Sequence, residues 1–91
     1  MVACKNFAAR VRAIPIGYST GQFQGRTYGV TRAESQQGRA INLRAKELGG
    51  QDYISFNLYE LENRKRLLKP CEMPERKVID FIMGLEPVTP K

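Results

Sequence analysis

Seven basic residues in the first half of the chain are the groups whose type and spacing best suit a chemical role. They fall in or beside segments in which polar and apolar residues alternate: Arg10, Arg12, Arg26, Arg32, Arg39, Arg44 and Lys46. Arginine presents a planar fork of N–H donors that fits phosphate oxygens, and lysine adds a compact positive charge. This basic set is therefore a candidate contact surface for a polyanion.

Aromatic residues accompany the basic set. Tyr53 and Tyr59 lie on the polar side of the segment YISFNLYEL, and Tyr18 and Phe23 lie in a glycine-rich segment. Rings that stack on bases, beside cations that hold the backbone, are typical of sequence-tolerant single-strand binders. The combination favours a non-enzymatic nucleic-acid-binding protein, with single strands as the favoured ligand.

Two alternatives stay open beside nucleic-acid binding. The basic residues could form a solvated face on which arginines pair with Glu34, Glu47 and Glu60. They could also bind an acidic protein, as in an interaction, accessory or inhibitor module. All three interpretations share the expectation that several of the basic side chains project from one face of a sheet.

The charge of the chain is unevenly distributed. The 91 residues carry a formal net charge of +6 and have a pI near 9.7. Residues 1–46 hold eight basic residues and one acidic residue, whereas residues 47–91 hold seven basic and eight acidic residues. All of the positive excess therefore comes from the first half, which biases that half toward polyanions.

Catalytic and metal-binding chemistry find little support in the residue types. The chain has no histidine, the commonest general base and transition-metal ligand. The pairs Glu60 with Glu62 and Glu72 with Glu75 have the spacing of ordinary surface carboxylates, and no glycine motif has phosphate-loop spacing. Cys71 precedes a predicted helix, but a passive thiol is the favoured interpretation. We therefore expect no catalytic residue, no metal site and no cofactor.

The chain shows no sequence feature of export or of membrane insertion. No apolar run approaches the roughly 18 residues that cross a bilayer, and the N-terminal segment lacks a continuous hydrophobic stretch. Cys4 and Cys71 are read as thiols, since a reducing compartment is favoured for a chain of this kind. A cytoplasmic location and no membrane partner are expected.

The elements that would position these groups are mostly strands. Period-two alternation predicts strands in 26–33 and 38–48, and in 7–14, where an alanine-rich composition also permits a short helix. Residues 17–25 carry three glycines and no charge, which favours a mobile loop or a loose hairpin. The segment 53–61 is the best strand, and it pairs with 65–69 in a predicted hairpin turned near Asn63. The short basic run 64–69 is read as an exposed part of that hairpin.

The C-terminal segment changes to a helical period. Pro74 is placed at the first helical position, with Glu75 beside it at the positive helix end. Apolar residues then recur at helical spacing, and Gly84 is a natural stop: the stripe is Val78, Phe81, Ile82 and Leu85. One amphipathic helix is therefore predicted here, and residues 86–91 are expected to form a flexible tail.

These elements define an α+β fold: an antiparallel sheet of four to five strands with one C-terminal amphipathic helix packed on one face. The length suits a single domain over residues 1–85. One helix covers only part of a sheet, and the edge strands of so small a domain invite pairing, so a homodimer is expected.

The order of the last elements resembles that of a known family. A hairpin, the short basic strand LLKP and an amphipathic helix opened by MPERKV follow one another over about residues 26–85. This order is similar to the sheet-plus-C-terminal-helix plan of the positive cofactor four family of single-stranded DNA binders. The resemblance lies in element order, so it implies no role for any individual residue.

Overall fold

A computed structural model describes residues 4–60 and 66–87 of the chain. Its strands are β1 (Gly17–Phe23), β2 (Arg26–Ser35), β3 (Ala40–Glu47), β4 (Tyr53–Glu60), β5 (Arg66–Pro70) and the two-residue β6 (Glu86–Pro87). They form one antiparallel sheet in the order β5-β4-β3-β2-β1-β6. The two helices are α1 (Cys4–Ala13) and α2 (Glu75–Gly84). This is the predicted α+β class, with a second helix in addition.

Both helices cover the same face of the sheet. The ring of Phe7 on α1 lies 5.7 Å from that of Phe56 on β4, and the ring of Phe81 on α2 lies 4.9 Å from that of Tyr28 on β2. These four side chains are at most 2% exposed. The core therefore fills the space between the helix layer and one sheet face, and no element within residues 4–60 and 66–87 covers the other face.

The helix α2 forms as its sequence pattern predicts. Val78, Phe81 and Ile82 are buried in the core, and Leu85, the residue that follows the helix, is 6% exposed. Pro74 lies one position earlier than predicted, because it precedes the helix with an extended backbone (φ −65°, ψ 146°). The shift leaves its role unchanged, since a residue without an N–H loses no hydrogen bond there.

The strand interpretation of residues 7–14 is wrong, and the helical alternative is the one adopted. Burial follows a helical period, because Phe7, Ala8, Val11 and Ile14 are buried whereas Ala9 is exposed. In so short a segment, three alanines, which are tolerated on a buried or an exposed face, allow both periods to fit. Packing against the sheet then selects the helix, whose apolar stripe includes Ile14 just beyond its last turn.

Residues 17–25 form a hairpin and not a mobile loop. Phe23 and Arg26 are paired, so only Gln24 and Gly25 make the turn. Both residues have positive φ, 52° and 77°, as the type I′ turn of a two-residue hairpin requires. Gly25 thus serves the tight turn, and Gly21 permits close packing, because a Cβ atom built on it would lie 2.8 Å from Cδ1 of Leu85.

The second predicted hairpin is confirmed. β4 and β5 pair in register, with Leu58 opposite Leu68 and Glu60 opposite Arg66. The expected turn at Asn63 and most of the predicted tail, residues 88–91, lie outside the described residues. Glu86 and Pro87, the start of that tail, instead pair with Gln22 and Gly21 as β6.

Candidate functional site

The sheet face opposite the helices, called the open face below, is built from alternate residues of five strands. The strand register aligns these residues in rows that cross the sheet. The first row is Thr20, Gly29, Lys46 and Tyr53; the second is Tyr18, Thr31, Arg44 and Ser55; the third is Ala33, Asn42, Asn57 and Lys69; the fourth is Ser35, Ala40, Tyr59 and Leu67. Side chains within one row are neighbours, because directly paired residues point to the same face.

The open face is positively charged. Arg44, Lys46 and Lys69 are exposed on it, and no position of this face in β1–β5 holds an acidic residue. The acid on this side of the described sheet is Glu86 of β6, at the far edge opposite Gln22. Cations without neighbouring carboxylates leave their charge available to an outside anion.

Three tyrosines share this face with the cations. Tyr18 is 66% exposed and Tyr53 is 45% exposed, and Tyr59 is partly exposed. Between the last two, Asn42 donates a 2.9 Å hydrogen bond from Nδ2 to Oδ1 of Asn57. Large rings exposed on a polar, basic sheet surface are available for stacking and for cation–π contacts.

Only part of the predicted basic set lies on the open face. Arg44, Lys46, Tyr53 and Tyr59 lie there, as the strand alternation predicts. The side chain of Arg39 is exposed in the turn before β3. The backbone carbonyl of Arg39 accepts a hydrogen bond from the backbone N–H of Glu60. The expectation is that several of the basic side chains share one face; of the seven, Arg44 and Lys46 do so, and the four other arginines are placed elsewhere by contacts inside the fold.

Arg32 is a buried structural residue. Its position in β2 alternates with Tyr28 and Val30, which places it on the core side of the sheet, where it is 7% exposed. Its Nη1 donates to the carbonyls of Arg12, at 2.9 Å, and Ile14, at 2.5 Å, and its Nη2 pairs with Glu34. The guanidinium thus satisfies carbonyls at the C-terminal end of α1, where positive charge is favourable. Burial, and then the nearby Arg12, lower the pKa of Arg32.

Arg10 performs the corresponding task for the other helix. From α1 its Nε donates to the carbonyl of Ile82, at 3.1 Å, and its Nη2 donates to that of Leu85, at 3.3 Å. Both carbonyls belong to the C-terminal end of α2, whose last carbonyls lack helical partners. Arg10 therefore joins the two helices, on the side of the sheet away from the open face.

Arg12 and Arg26 are held by ion pairs. Arg12 Nη2 lies 3.0 Å from Oε1 of Glu60, and Arg26 Nη1 lies 3.8 Å from Oε1 of Glu47. Together with Arg32 and Glu34, these pairs match the alternative in which arginines neutralise Glu34, Glu47 and Glu60. The pairing that this alternative expects is thus present for Arg12, Arg26 and Arg32, although Arg32 is buried and does not lie on a solvated face. The described residues give no such partner to Arg44 or Lys46.

A groove of about 540 Å³ runs across one end of the open face. Tyr18 on β1 and Tyr53 on β4 border it, and Arg44 and Lys46 line it from β3 between them. Gly29 lies on its floor, and Leu48 closes it at the β3–β4 turn. The site is thus a depression in the sheet surface with ring, methyl and cationic groups and no carboxylate.

A separate polar cluster lies on the helix side. The hydroxyl of the buried Tyr28 donates to Oδ2 of Asp52, at 2.7 Å, and Lys77 Nζ donates to Oδ1 of Asp52, at 2.9 Å. Burial, followed by the Asp52 carboxylate, raises the pKa of Tyr28 to about 12. The hydrogen bonds from Tyr28 and Lys77 lower the pKa of Asp52. The cluster connects β2, the β3–β4 turn and α2, and its groups satisfy one another.

The described part of the chain has neither a metal-binding cluster nor a membrane-spanning helix. It contains no group of three or more histidine, cysteine, aspartate or glutamate side chains arranged to hold a metal ion. Its helices, each of ten residues, include none long and apolar enough to span a bilayer. Cys71, partly exposed before α2, is a free thiol.

Comparison with known proteins finds no matching family model, no similar curated protein and no similar solved structure. The resemblance in element order to the positive cofactor four family therefore stands without support from a match.

Sequence reasoning missed Lys69, Gly29 and the regular strand that carries Tyr18, a ring it had assigned to a glycine-rich loop or loose hairpin. Lys69 pairs with Asn57, so it extends the positive charge beyond β3. Gly29 forms the floor of the groove, and Tyr18 lies on a regular strand beside it. The signal for Tyr18 was its alternation with Thr20 and Gln22, which was visible once residues 17–23 were treated as a strand.

Proposed function

We propose that the protein binds single-stranded nucleic acid on the open face of its sheet. The observation that carries this proposal is the coincidence, on one uncovered face, of three tyrosine rings and three cations without an acidic residue among them in β1–β5. The charges attract the phosphate backbone, and the rings stack on bases. No catalytic step is required of any residue.

The preference for single strands follows from the rings. Bases of a duplex are stacked on each other and cannot offer their faces to a side chain, whereas unpaired bases can. Tyr53 and Tyr59 lie at opposite ends of β4, six residues and roughly 20 Å apart at about 3.3 Å per residue. A strand laid along β4 would meet a ring at each end.

The cations flank this path on both sides. Arg44 and Lys46 lie on β3, next to Ser55 and Tyr53, and Lys69 lies on β5, next to Asn57. A backbone following β4 would thus have positive charge to its left and right. The amides of Asn42 and Asn57, in the middle of the path, keep donors and acceptors free beyond the one bond they share.

The first test is a salt titration with matched variants. Fluorescence anisotropy of labelled 12-nucleotide DNA and RNA strands should show binding that weakens steeply with salt, and duplexes of equal length should bind more weakly. Arg44→Ala should reduce the slope of log affinity against log salt by about 0.7, the value for one phosphate contact on a single strand. Arg76→Ala removes an equal charge on α2, where the side chain is 90% exposed, and should leave the slope nearly unchanged.

The second test concerns the rings. Tyr53→Ser and Tyr59→Ser should each weaken single-strand binding by about 1–3 kcal/mol. An acidic protein bound by charge would not need the rings. The protein-interaction alternative would therefore be favoured if the tyrosine variants kept full affinity for a bound partner that survives nuclease treatment. Absence of binding to any strand at low salt, or equal slopes for Arg44→Ala and Arg76→Ala, would refute the proposal.

A further inference from the structure

The groove has the dimensions of a site for a small ligand. Its volume of about 540 Å³ lies within the range of ordinary ligand pockets, about 300–1,000 Å³. It is confined to the end of the open face where the first two rows meet the β3–β4 turn. A whole strand would pass over it, whereas one nucleotide could occupy it.

The shape of the groove depends on Gly29. Within the first row, Thr20 and Lys46 flank this position, which has no side chain of its own. Tyr18 leans over it from the next row, so that a Cβ atom built on Gly29 would lie 2.5 Å from the Tyr18 hydroxyl and 3.0 Å from its ring. Any larger residue would push the ring aside. Gly29 therefore sets the position of Tyr18, whose ring nevertheless remains 66% exposed.

The lining combines two kinds of recognition. Tyr18, Tyr53 and Leu48 offer apolar and aromatic surface, which suits a flat ring. Arg44 and Lys46 supply positive charge, and none of the residues that line the groove is acidic. A ligand that matches both needs an aromatic ring and an anion held a few ångströms apart, which is the chemistry of a nucleotide.

We infer that the groove between Tyr18 and Tyr53 is a binding site for one nucleotide, with the base against the rings and the phosphate at Arg44 and Lys46. This inference rests on the proposed function, because the occupant in the cell would be one nucleotide of a bound strand. It adds a defined subsite to that function. A mononucleotide alone should therefore bind there.

The test is a titration of the isotope-labelled full chain with adenosine 5′-monophosphate, followed by amide shifts in NMR spectra. Saturable shifts should concentrate at the groove residues. Adenosine and ribose 5-phosphate, which each lack one half of the ligand, should bind at least tenfold more weakly. Equal affinity for ribose 5-phosphate would identify a simple anion site and overturn the inference, as would the absence of saturable shifts at the groove.

Two variants locate the site, with one matched control. Tyr18→Ala should weaken mononucleotide binding at least fivefold, and Gly29→Ala should do so by displacing the Tyr18 ring. Ile16 is as exposed as Tyr18, at 66%, and does not line the groove, so Ile16→Ala should bind as the parent does. Unchanged affinity in folded Tyr18→Ala would overturn the inference even if Gly29→Ala failed to fold.

The two proposals fail in different ways. If the 12-nucleotide strand binds and the mononucleotide does not, the groove site is refuted and strand binding stands. If the mononucleotide binds and the strand binds no tighter, the groove site stands and the extended interface is refuted.

Discussion

Arg32 provides the sharpest test of the structure, because its residue type suggests phosphate binding whereas its position makes it structural. We predict that Arg32→Ala destabilises the fold strongly. The substitution removes hydrogen bonds from a charged donor to the carbonyls of Arg12 and Ile14, and it leaves Glu34, 21% exposed, without its partner. The variant tests whether these contacts hold α1 on the sheet.

The magnitude follows from these contacts. A hydrogen bond to a charged group contributes about 1.5–3 kcal/mol, and loss of one partner from a buried ion pair costs about 3–5 kcal/mol. The buried Nε of Arg32 has no partner among the described residues, so removing it relieves about 1–3 kcal/mol. With the smallest of these losses and the largest relief, a net loss of at least about 3 kcal/mol is expected. For a chain of this size that lowers Tm by at least roughly 12 °C.

Urea unfolding followed by circular dichroism measures this loss. Arg39→Ala removes the same side chain from an exposed turn and should change the free energy of unfolding by less than about 0.5 kcal/mol. Arg32→Lys retains one charge but not the fork that reaches both carbonyls, so its stability should be intermediate. If Arg32→Ala unfolds within about 0.5 kcal/mol of the parent, the capping role assigned to Arg32 is wrong.

Two further predictions concern the helix layer. Arg10→Ala should lower the free energy of unfolding by about 1 kcal/mol, because two carbonyls at the end of α2 lose a cationic donor. Arg76→Ala, at an exposed site on α2 itself, should lower it by less. Equal losses in the two variants would contradict the contact between Arg10 and α2. The folded-state pKa of Tyr28 is raised from 10 to about 12, so the fold favours the neutral hydroxyl, and the stability this adds is complete below pH 10 and is lost as pH rises toward 12. Two pKa units correspond to about 3 kcal/mol of stability. In urea unfolding between pH 8 and 11.5, the free energy of unfolding should therefore fall more steeply with pH for the parent than for Tyr28→Phe. Parallel plots of that free energy against pH would contradict the raised pKa.

Local pattern was sufficient for the elements with a long, clear period. β4 alternates over eight residues with Ile54, Phe56 and Leu58 inward, and α2 repeats Val78, Phe81 and Ile82 at helical spacing. Both were predicted with nearly their observed bounds. The first helix was ambiguous because its alanines fit either period, and only contact with the sheet, as between Phe7 and Phe56, decides it.

The candidate site was predictable only in part, for a physical reason. Arg44 and Lys46 are placed by the alternation of β3, a local property. The roles of Arg10 and Arg32 depend on helix carbonyls 75 and 18 residues away in the chain. No local pattern records such contacts. The alternation of β2 puts Arg32 on the same side as Tyr28 and Val30, but it does not show why an arginine is tolerated in the core. The reason is the pair of carbonyls at the end of α1 that accept its hydrogen bonds.

The two arginine caps also bear on how the molecule opens. Arg32 of the sheet donates to the carbonyls at the end of α1, and Arg10 of α1 donates to those at the end of α2, so α1 is tied to the sheet and α2 is tied to α1. If α1 detached from the sheet, the carbonyls of Ile82 and Leu85 at the end of α2 would lose their donor Arg10. The buried Arg32 guanidinium would lose its acceptors on Arg12 and Ile14. The helix layer should therefore exchange its amide hydrogens as one cooperative unit, with neither helix fraying far ahead of the other.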